Sequence, residues 1–282
     1  MSQIQAVLVV GAGWVGRQLA ARLAQYGVQV WLYDRQPEVS QAACQWIAKL
    51  QLPVEPLNEL SAGQPPVDLI VECVPEQLSA KKRILREVSQ LYPPPTLIAS
   101  NSSYFVPSVL SQFVAEPSRF AHWHFHVPVL RDSVVDIVGG PTTEPKVLDQ
   151  LQELTERIGQ DPLRLRREHP GYIFNWLLQS VLRSALELAA LDVADPQDID
   201  RSWKAVSGMP LGPFGMMDRI GLDVIEQVLS NSRWGDPPQV SVEQLLALLS
   251  PYTSRGALGQ KSGQGFYDYP SQPEAGEPDT PS

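Results

Sequence analysis

The stretch Ile4-Gln5-Ala6-Val7-Leu8-Val9-Val10-Gly11-Ala12-Gly13-Trp14-Val15-Gly16 decides the fold. Residues 4–10 form a near-continuous apolar run that breaks at glycine, the pattern of a strand buried on both faces of a parallel sheet. From Trp14 the period changes: Val15, Leu19 and Leu23 stand four apart, and Gly27 is placed to end a helix in the left-handed conformation. A second apolar run, residues 28–33, ends at Asp34. These pieces make one βαβ unit of about 30 residues.

The spacing Gly11-x-Gly13-x-x-Gly16 gains its meaning from lying between that strand and that helix. Gly11 permits a tight turn, Gly13 lets a pyrophosphate approach the backbone at the positive helix N-terminus, and Gly16 lets helix and strand pack closely. Asp34 would accept hydrogen bonds from ribose hydroxyls and repel a 2′-phosphate, which favours NAD over NADP; the neighbouring Arg35 weakens that preference.

Outward from this unit the alternation continues with a helix at 39–50, a strand at 67–72, a helix at 77–91 and a strand at 96–100. Extended stretches at 119–126 and 134–138 and a helix at 144–158 follow. The expected class is α/β, with a Rossmann-type doubly wound sheet over residues 1–167 and an all-α domain over 168–269. That second part opens with residues 172–191, apolar over most of the helix circumference apart from the stripe Asn175, Gln179, Arg183 and Glu187. It continues with helices at 196–206, 223–229 and 242–249. So broad an apolar surface predicts a homodimer built through these helices. Residues 270–282, rich in Pro, Glu and Ser, read as a disordered tail.

Composition narrows the functional classes. In 282 residues, 22 Lys and Arg stand against 31 Asp and Glu, a formal charge of −9 that repels nucleic acid and anionic lipid. The basic clusters Lys81, Lys82, Arg83, Arg86 and Arg164, Arg166, Arg167 are not interleaved with aromatics and read as solvated faces. No apolar run reaches the length of a membrane span, and the first residues carry no basic leader, so a cytoplasmic protein is expected. Cys44 and Cys73 offer neither a disulfide framework nor a CxxC zinc site. Prolines, 26 in all, concentrate in loops such as 53–66 and 93–95 and imply short, stiff connections.

His122, His124 and His126 alternate, which places all three on one face of a strand. Imidazoles so spaced can share a metal ion, or one of them can take a proton beside a hydride transfer. The carboxylates nearby are Asp132 and Asp136 only, and a nicotinamide-linked reaction can run on one imidazole without an ion. The expectation is therefore one histidine base and no metal, with the flanking histidines about 7 Å away along the strand.

GAGWVG (11–16), Asp34, VECVPE (71–76), SNSS (100–103), HFHVP (124–128), PGYIFN (170–175), PLGPFGMMDRIGLD (210–223) and LGQKSGQGFYDY (258–269) follow one another as in the 3-hydroxyacyl-CoA dehydrogenase family, which the chain resembles over nearly its whole length. The likeness is strongest to the short, single-function members that act on 3-hydroxybutyryl-CoA. It implies NAD-linked interconversion of (3S)-3-hydroxyacyl-CoA and 3-oxoacyl-CoA by a dimer, in fatty acid metabolism. Carried over by position, His124 is the catalytic base, Asp136 its orienting carboxylate, and Ser103 and Asn175 lie near the substrate oxygens. Gly11, Gly13, Trp14, Val15, Gly16, Asp34 and Asn101 fall at the cofactor; Glu76 holds the site together and Lys81 approaches the nicotinamide ribose.

Three departures accompany the resemblance. His126 and Val127 stand where the family has Phe and Asn, and Asp136 stands where it has Glu. Residues 35–71 are shorter than the family's segment, which carries a helical hairpin that contacts CoA. Two other readings follow: a relative acting on a 3-hydroxy acid without CoA, and a dinucleotide-binding protein that has lost catalysis.

Overall fold

A computed structural model describes residues 3–131, 133–231 and 240–269; Asp132 and the tail 270–282 lie outside the described residues. The chain divides into two compact units, Met1–Tyr172 and Ile173–Ser282. The first holds strands β1 (Ala6–Val10), β2 (Gln29–Tyr33), β3 (Glu55–Leu57), β4 (Leu69–Glu72), β5 (Leu97–Ser100), β6 (Phe120–Phe125), β7 (Val134–Gly139) and β8 (Asp161–Arg164). Its helices are α1 (Trp14–Gln25), α2 (Pro37–Ala48), α3 (Leu78–Leu91), α4 (Pro107–Leu110) and α5 (Pro145–Arg157).

The strands form one sheet in the order β3-β2-β1-β4-β5-β6-β7-β8, parallel throughout except for β6 against β7. Along β1 the side chains alternate between layers. Val7 and Val9 join the core under α1, α2 and α5, while Leu8 and Val10 join the core under α3 and α4. Burial on both faces is why this strand reads as an unbroken apolar run. The strand order reverses between β1 and β4, and it is outside the carboxyl ends of the strands at such a switch that doubly wound sheets bind ligands.

Two strands escape the sequence pattern. β3 is three residues long, contains Pro56 and pairs only with β2, an edge position where a missing N–H is tolerated. β8 is the polar run DPLR at the opposite edge, paired with β7 alone. Between residues 35 and 71 the chain thus holds α2 and β3, where the sequence reading gives one helix and a proline-rich loop.

The second unit comprises α6 (Phe174–Ala190), α7 (Pro196–Ser207), α8 (Pro213–Ile220), α9 (Leu222–Asn231) and α10 (Val242–Thr253), of which α8 is absent from the sequence reading. Its core gathers Leu182, Leu186, Phe214, Met217, Leu245 and Leu249. Two buried aspartates organise it. Asp200 accepts the backbone N–H groups of Phe214 (2.8 Å) and Gly215 (2.9 Å), capping α8 from another helix. Asp218 accepts the N–H groups of Phe266 and Tyr267 and the phenol of Tyr269. A Cβ at Gly259 would stand 2.0 Å from the Asp218 carbonyl oxygen, and one at Gly265 would stand 2.1 Å from Oδ1 of the same residue. The strings at 210–223 and 258–269 therefore recognise each other: the second supplies the donors and the bare backbone that let the first bury a carboxylate. No described helix is long and apolar enough to cross a membrane.

Candidate active site

The turn from β1 into α1 explains its glycines unequally. Gly11 holds φ at +106°, and a Cβ there would lie 2.6 Å from the Cys73 carbonyl group. At Gly16 a Cβ would come within 1.8 Å of the Gly11 carbonyl oxygen. Both glycines are thus demanded by the protein itself. Gly13 has an ordinary φ of −65°, and a Cβ added there would meet nothing within 4 Å, so the fold gives no reason for glycine at this position. A ligand resting on this backbone at the N-terminus of α1 does give one. Val15 packs against the core, and Trp14 is exposed with the Arg17 guanidinium 4.5 Å from its ring.

Beside this turn lies a cleft of about 400 Å³ lined by Gly11, Tyr33, Asp34, Arg35, Val74 and Arg83 among others. Asp34 is fixed at its rim: Oδ2 accepts the Ala12 N–H at 2.9 Å and Oδ1 the Gln36 N–H at 3.1 Å. The acid that follows the second strand therefore also ties the glycine turn to β2. The position suits the adenosine half of a dinucleotide, with Arg35 and Arg83 both in the lining.

The chemistry-bearing side chains meet at the carboxyl ends of β5 and β6. His124 and Asp136 are register partners across the antiparallel pair β6–β7. His124 Nδ1 stands 3.0 Å from Asp136 Oδ2, and Ser103 Oγ lies 3.1 Å from His124 Nε2. Both the imidazole and the carboxylate are almost fully buried. Burial lowers the His124 pKa below its ordinary value and outweighs the upward pull of the Asp136 hydrogen bond, with the nearby His126 acting in the same direction as burial. Burial pushes the Asp136 carboxyl up, but hydrogen bonds from His124 and His126 bring it below the usual aspartate value. Together the directions describe a neutral imidazole whose Nδ1–H donates to a carboxylate, leaving a lone pair on Nε2 toward Ser103.

Of the flanking histidines, His122 stays in the pleat of β6 as the alternation predicts, and His126 does not sit about 7 Å along the strand. β6 ends at Phe125, so His126 has left the pleat, and its Nε2 lies 3.0 Å from the same Asp136 Oδ2, with its ring centroid 4.8 Å from that of His124. His122 is fully buried, and its Nδ1 is 2.8 Å from the phenol of Tyr172. Tyr172 is the residue that sequence reasoning missed. Its ring stacks on His124 with centroids 4.4 Å apart and planes 19° apart, and its hydroxyl donates to the Ser102 carbonyl at 2.6 Å. Its place inside PGYIFN is the only trace it leaves in the sequence.

Beneath the dyad runs a second buried polar cluster. Lys81 Nζ contacts both Glu72 oxygens (2.9 and 3.0 Å) and Glu76 Oε2 (3.2 Å), while Ser100 Oγ donates to Glu72. Burial opposes the Lys81 charge, yet Glu72 and Glu76 more than compensate and raise its pKa. Glu76 also accepts the Ser102 hydroxyl and the Tyr104 and Phe105 N–H groups; burial raises its carboxyl pKa, but Lys81 and these donors together bring it below the ordinary value. Glu76 thus ties the loop carrying Ser103 to the end of β4. Any approach of Lys81 to a ribose would be made by an ammonium already shared between two carboxylates. Asn101 accepts the Phe125 N–H at 2.8 Å and fastens the end of β5 to that of β6. Asn175 stands half-buried in the first turn of α6 in the second unit, and its part in the site rests on the resemblance alone.

Comparison with known proteins adds independent findings. The sequence model for the 3-hydroxyacyl-CoA dehydrogenase NAD binding domain matches residues 6–168, and that for the C-terminal domain of the same proteins matches residues 171–269. The 3-hydroxyadipyl-CoA dehydrogenase of Escherichia coli (strain K12) is 30% identical over 98% of this chain, which spans 61% of that protein's length. The mitochondrial hydroxyacyl-coenzyme A dehydrogenase of Rattus norvegicus is 27% identical over 94% of this chain and 91% of its own. A solved diketoreductase, described as catalysing reactions of dicarbonyl compounds, superposes with a TM-score of 0.87 at 31% identity, covering 95% of this chain and 100% of that one.

Proposed function

Because the chain belongs to the 3-hydroxyacyl-CoA dehydrogenase family and carries its NAD binding domain, we propose that it interconverts a (3S)-3-hydroxyacyl-CoA and the 3-oxoacyl-CoA, with His124 as the base. The observation that carries this reading is the line of hydrogen bonds from Ser103 Oγ through both nitrogens of His124 to Asp136.

NAD, when bound, accepts the hydride from C3 of the substrate. The turn at residues 11–16 and the cleft at Asp34 would hold it, leaving the protein to manage the proton. The Nε2 lone pair of neutral His124 takes the 3-hydroxyl proton as the carbon becomes a carbonyl, and Ser103 Oγ orients that oxygen. The imidazolium so formed keeps its Nδ1–H on Asp136, whose charge stabilises it until the proton leaves for solvent. In reduction the same proton is returned to the oxygen. The resemblance assigns the amide of Asn175 to the substrate as well.

A second reading has support of its own. Before β4 begins, the segment 35–71 holds α2 and the short β3 where the family has a CoA-contacting hairpin, and the diketoreductase acts on dicarbonyl compounds. A 3-hydroxy or 3-oxo compound without CoA is the alternative substrate. Purified protein with NAD, offered 3-hydroxybutyryl-CoA and then free 3-hydroxy acids while NADH absorbance is followed, separates the two. Turnover of the thioester at least tenfold more efficient than of any free acid supports the first reading. The reverse ratio supports the second, and no turnover of either overturns both.

A further inference from the structure

One ligand atom from each of His124, His126 and Asp136 lies within 4.8 Å of the other two, and His124 Nδ1 and His126 Nε2 are each 3.0 Å from Asp136 Oδ2. Both histidines point at the same oxygen, Oδ2, while Oδ1 of Asp136 is buried and meets no donor among the described residues. A buried carboxylate oxygen without a partner is costly. Two imidazoles and one such carboxylate are also the donor set of a three-ligand site for a borderline divalent cation, with a fourth position left for water. Zinc bonds of about 2.0–2.2 Å place neighbouring tetrahedral donors about 3.4 Å apart, so the two 3.0 Å nitrogen–oxygen separations must open by a few tenths of an ångström while the two imidazole nitrogens, within 4.8 Å of each other, close toward that spacing.

The geometry points to a zinc-type cation site at His124, His126 and Asp136 whose occupation switches the base off. The switch rests on the functional reading above, since it acts on the same imidazole. A metal on Nδ1 of a neutral imidazole requires the ring proton to reside on Nε2. The His124 proton therefore moves from Nδ1 to Nε2, and the proton that His126 Nε2 shares with Asp136 moves to His126 Nδ1, both through solvent and with no net change in either ring's charge. His124 Nε2 then donates toward Ser103 and has no lone pair left for a substrate hydroxyl. The His126 side chain is 15% exposed against 3% for His124 and 1% for Asp136, so the cation enters from the His126 side. His126 completes the set, and it is one of the departures from the resembled family, which has Phe there. The ligand set arises because the chain turns at the end of β6 and brings His126 back, which the alternation of the histidines does not foretell.

The test uses the full chain freed of metal, with zinc ion as the probe. Calorimetric titration should give one zinc per chain with a dissociation constant in the micromolar range or tighter, weakened at least tenfold in both His126→Phe and Asp136→Asn. Nitrogen-15 NMR of labelled histidine should show His124 Nε2 becoming a protonated, pyrrole-type nitrogen as zinc is added, whether or not the protein turns over any substrate offered. With an active preparation, zinc should inhibit at the concentration at which it binds, and a chelator should restore the rate. Equal zinc affinity in wild type and both ligand variants overturns the site; zinc bound with His124 Nε2 still unprotonated overturns the switch. A protein that binds zinc as expected but oxidises no 3-hydroxy substrate overturns the functional reading instead.

Discussion

The phenol ring of Tyr172 lies stacked on the imidazole of His124, 4.4 Å between centroids, while its hydroxyl bridges the Ser102 carbonyl and His122 Nδ1. Because that hydroxyl donates to Ser102, it must accept from His122, which places the His122 proton on Nδ1. One side chain thereby sets the tautomer of one histidine and confines the plane of another. It does so from a backbone φ of +52°, uncommon for a bulky residue and held here by the turn through Gly171.

Tyr172→Phe should therefore separate the two roles. The ring stack survives, but a buried N–H and a buried carbonyl lose their partner, which costs about 1–3 kcal/mol. Chemical denaturation should show that loss with turnover within about tenfold of wild type. Tyr172→Leu, which removes the stack, should lower turnover further. Equal turnover in the two variants would show that stacking does not position His124.

The pH dependence of stability follows from the buried histidines. His122 is held well below its ordinary pKa by burial and by the positive charge of Lys81, and His124 is lowered mainly by burial. In the unfolded chain both titrate near about 6.5. As pH falls through that value the unfolded state takes up protons that the folded state refuses, so stability is lost by up to about 1.4 kcal/mol per pH unit for each histidine. The depressed Asp136 carboxyl acts at lower pH, its contribution being present above about pH 4 and lost on further acidification. Urea midpoints at about pH 7.5 and about pH 5.5 should differ accordingly, and the acid limb of kcat/KM should lie below about 6.5. A fold that gains stability on this acidification contradicts the assignment.

Asp136→Asn should keep the fold and lower turnover by about 10² to 10⁴, because an amide no longer stabilises the imidazolium. Asp136→Glu is more informative. The aspartate already reaches both His124 and His126 at 3.0 Å from a register position directly opposite His124. An added methylene should crowd these rings and reduce turnover. An increase would show that the shorter carboxylate leaves the base poorly held.

The glycine turn predicts opposite outcomes for two similar substitutions. Gly11→Ala forces a Cβ against the Cys73 backbone at a positive φ and should destabilise by at least about 1–3 kcal/mol. Gly13→Ala meets nothing in the protein, so its stability should stay within about 0.5 kcal/mol of wild type while NAD affinity falls at least about tenfold. Thermal denaturation with NAD titration checks both. Unchanged affinity in Gly13→Ala would mean that the pyrophosphate does not rest on this backbone.

Self-association is expected through the helical unit, where Phe174 and Leu177 are 55% and 60% exposed and Val193 is 64% exposed. Light scattering at micromolar concentration should report about twice the 31.2 kDa of one chain. Leu177→Glu should shift the population toward monomer, and a wild-type protein that is monomeric under these conditions contradicts the expectation.

The sequence by itself determined the doubly wound sheet, because a strand buried on both faces and a helix buried on one leave unmistakable periods, and β1 with α1 show both. It also determined that Gly11, Gly13 and Gly16 form the turn and that Ser103, His124 and Asp136 belong together, the latter through resemblance. It left β3 and β8 unread, since three-residue or polar edge strands bury too little apolar surface to impose a pattern. Only the tertiary structure decided that His126 shares the oxygen that serves His124. A strand's two-residue period holds only while the strand lasts, and β6 ends one residue before His126. It alone brought Tyr172 onto His124, 48 positions earlier in the chain, and it alone showed Asp200 and Asp218 to be the buried anchors of the helical unit. Contacts between residues so far apart in sequence depend on packing, which has no local period to read.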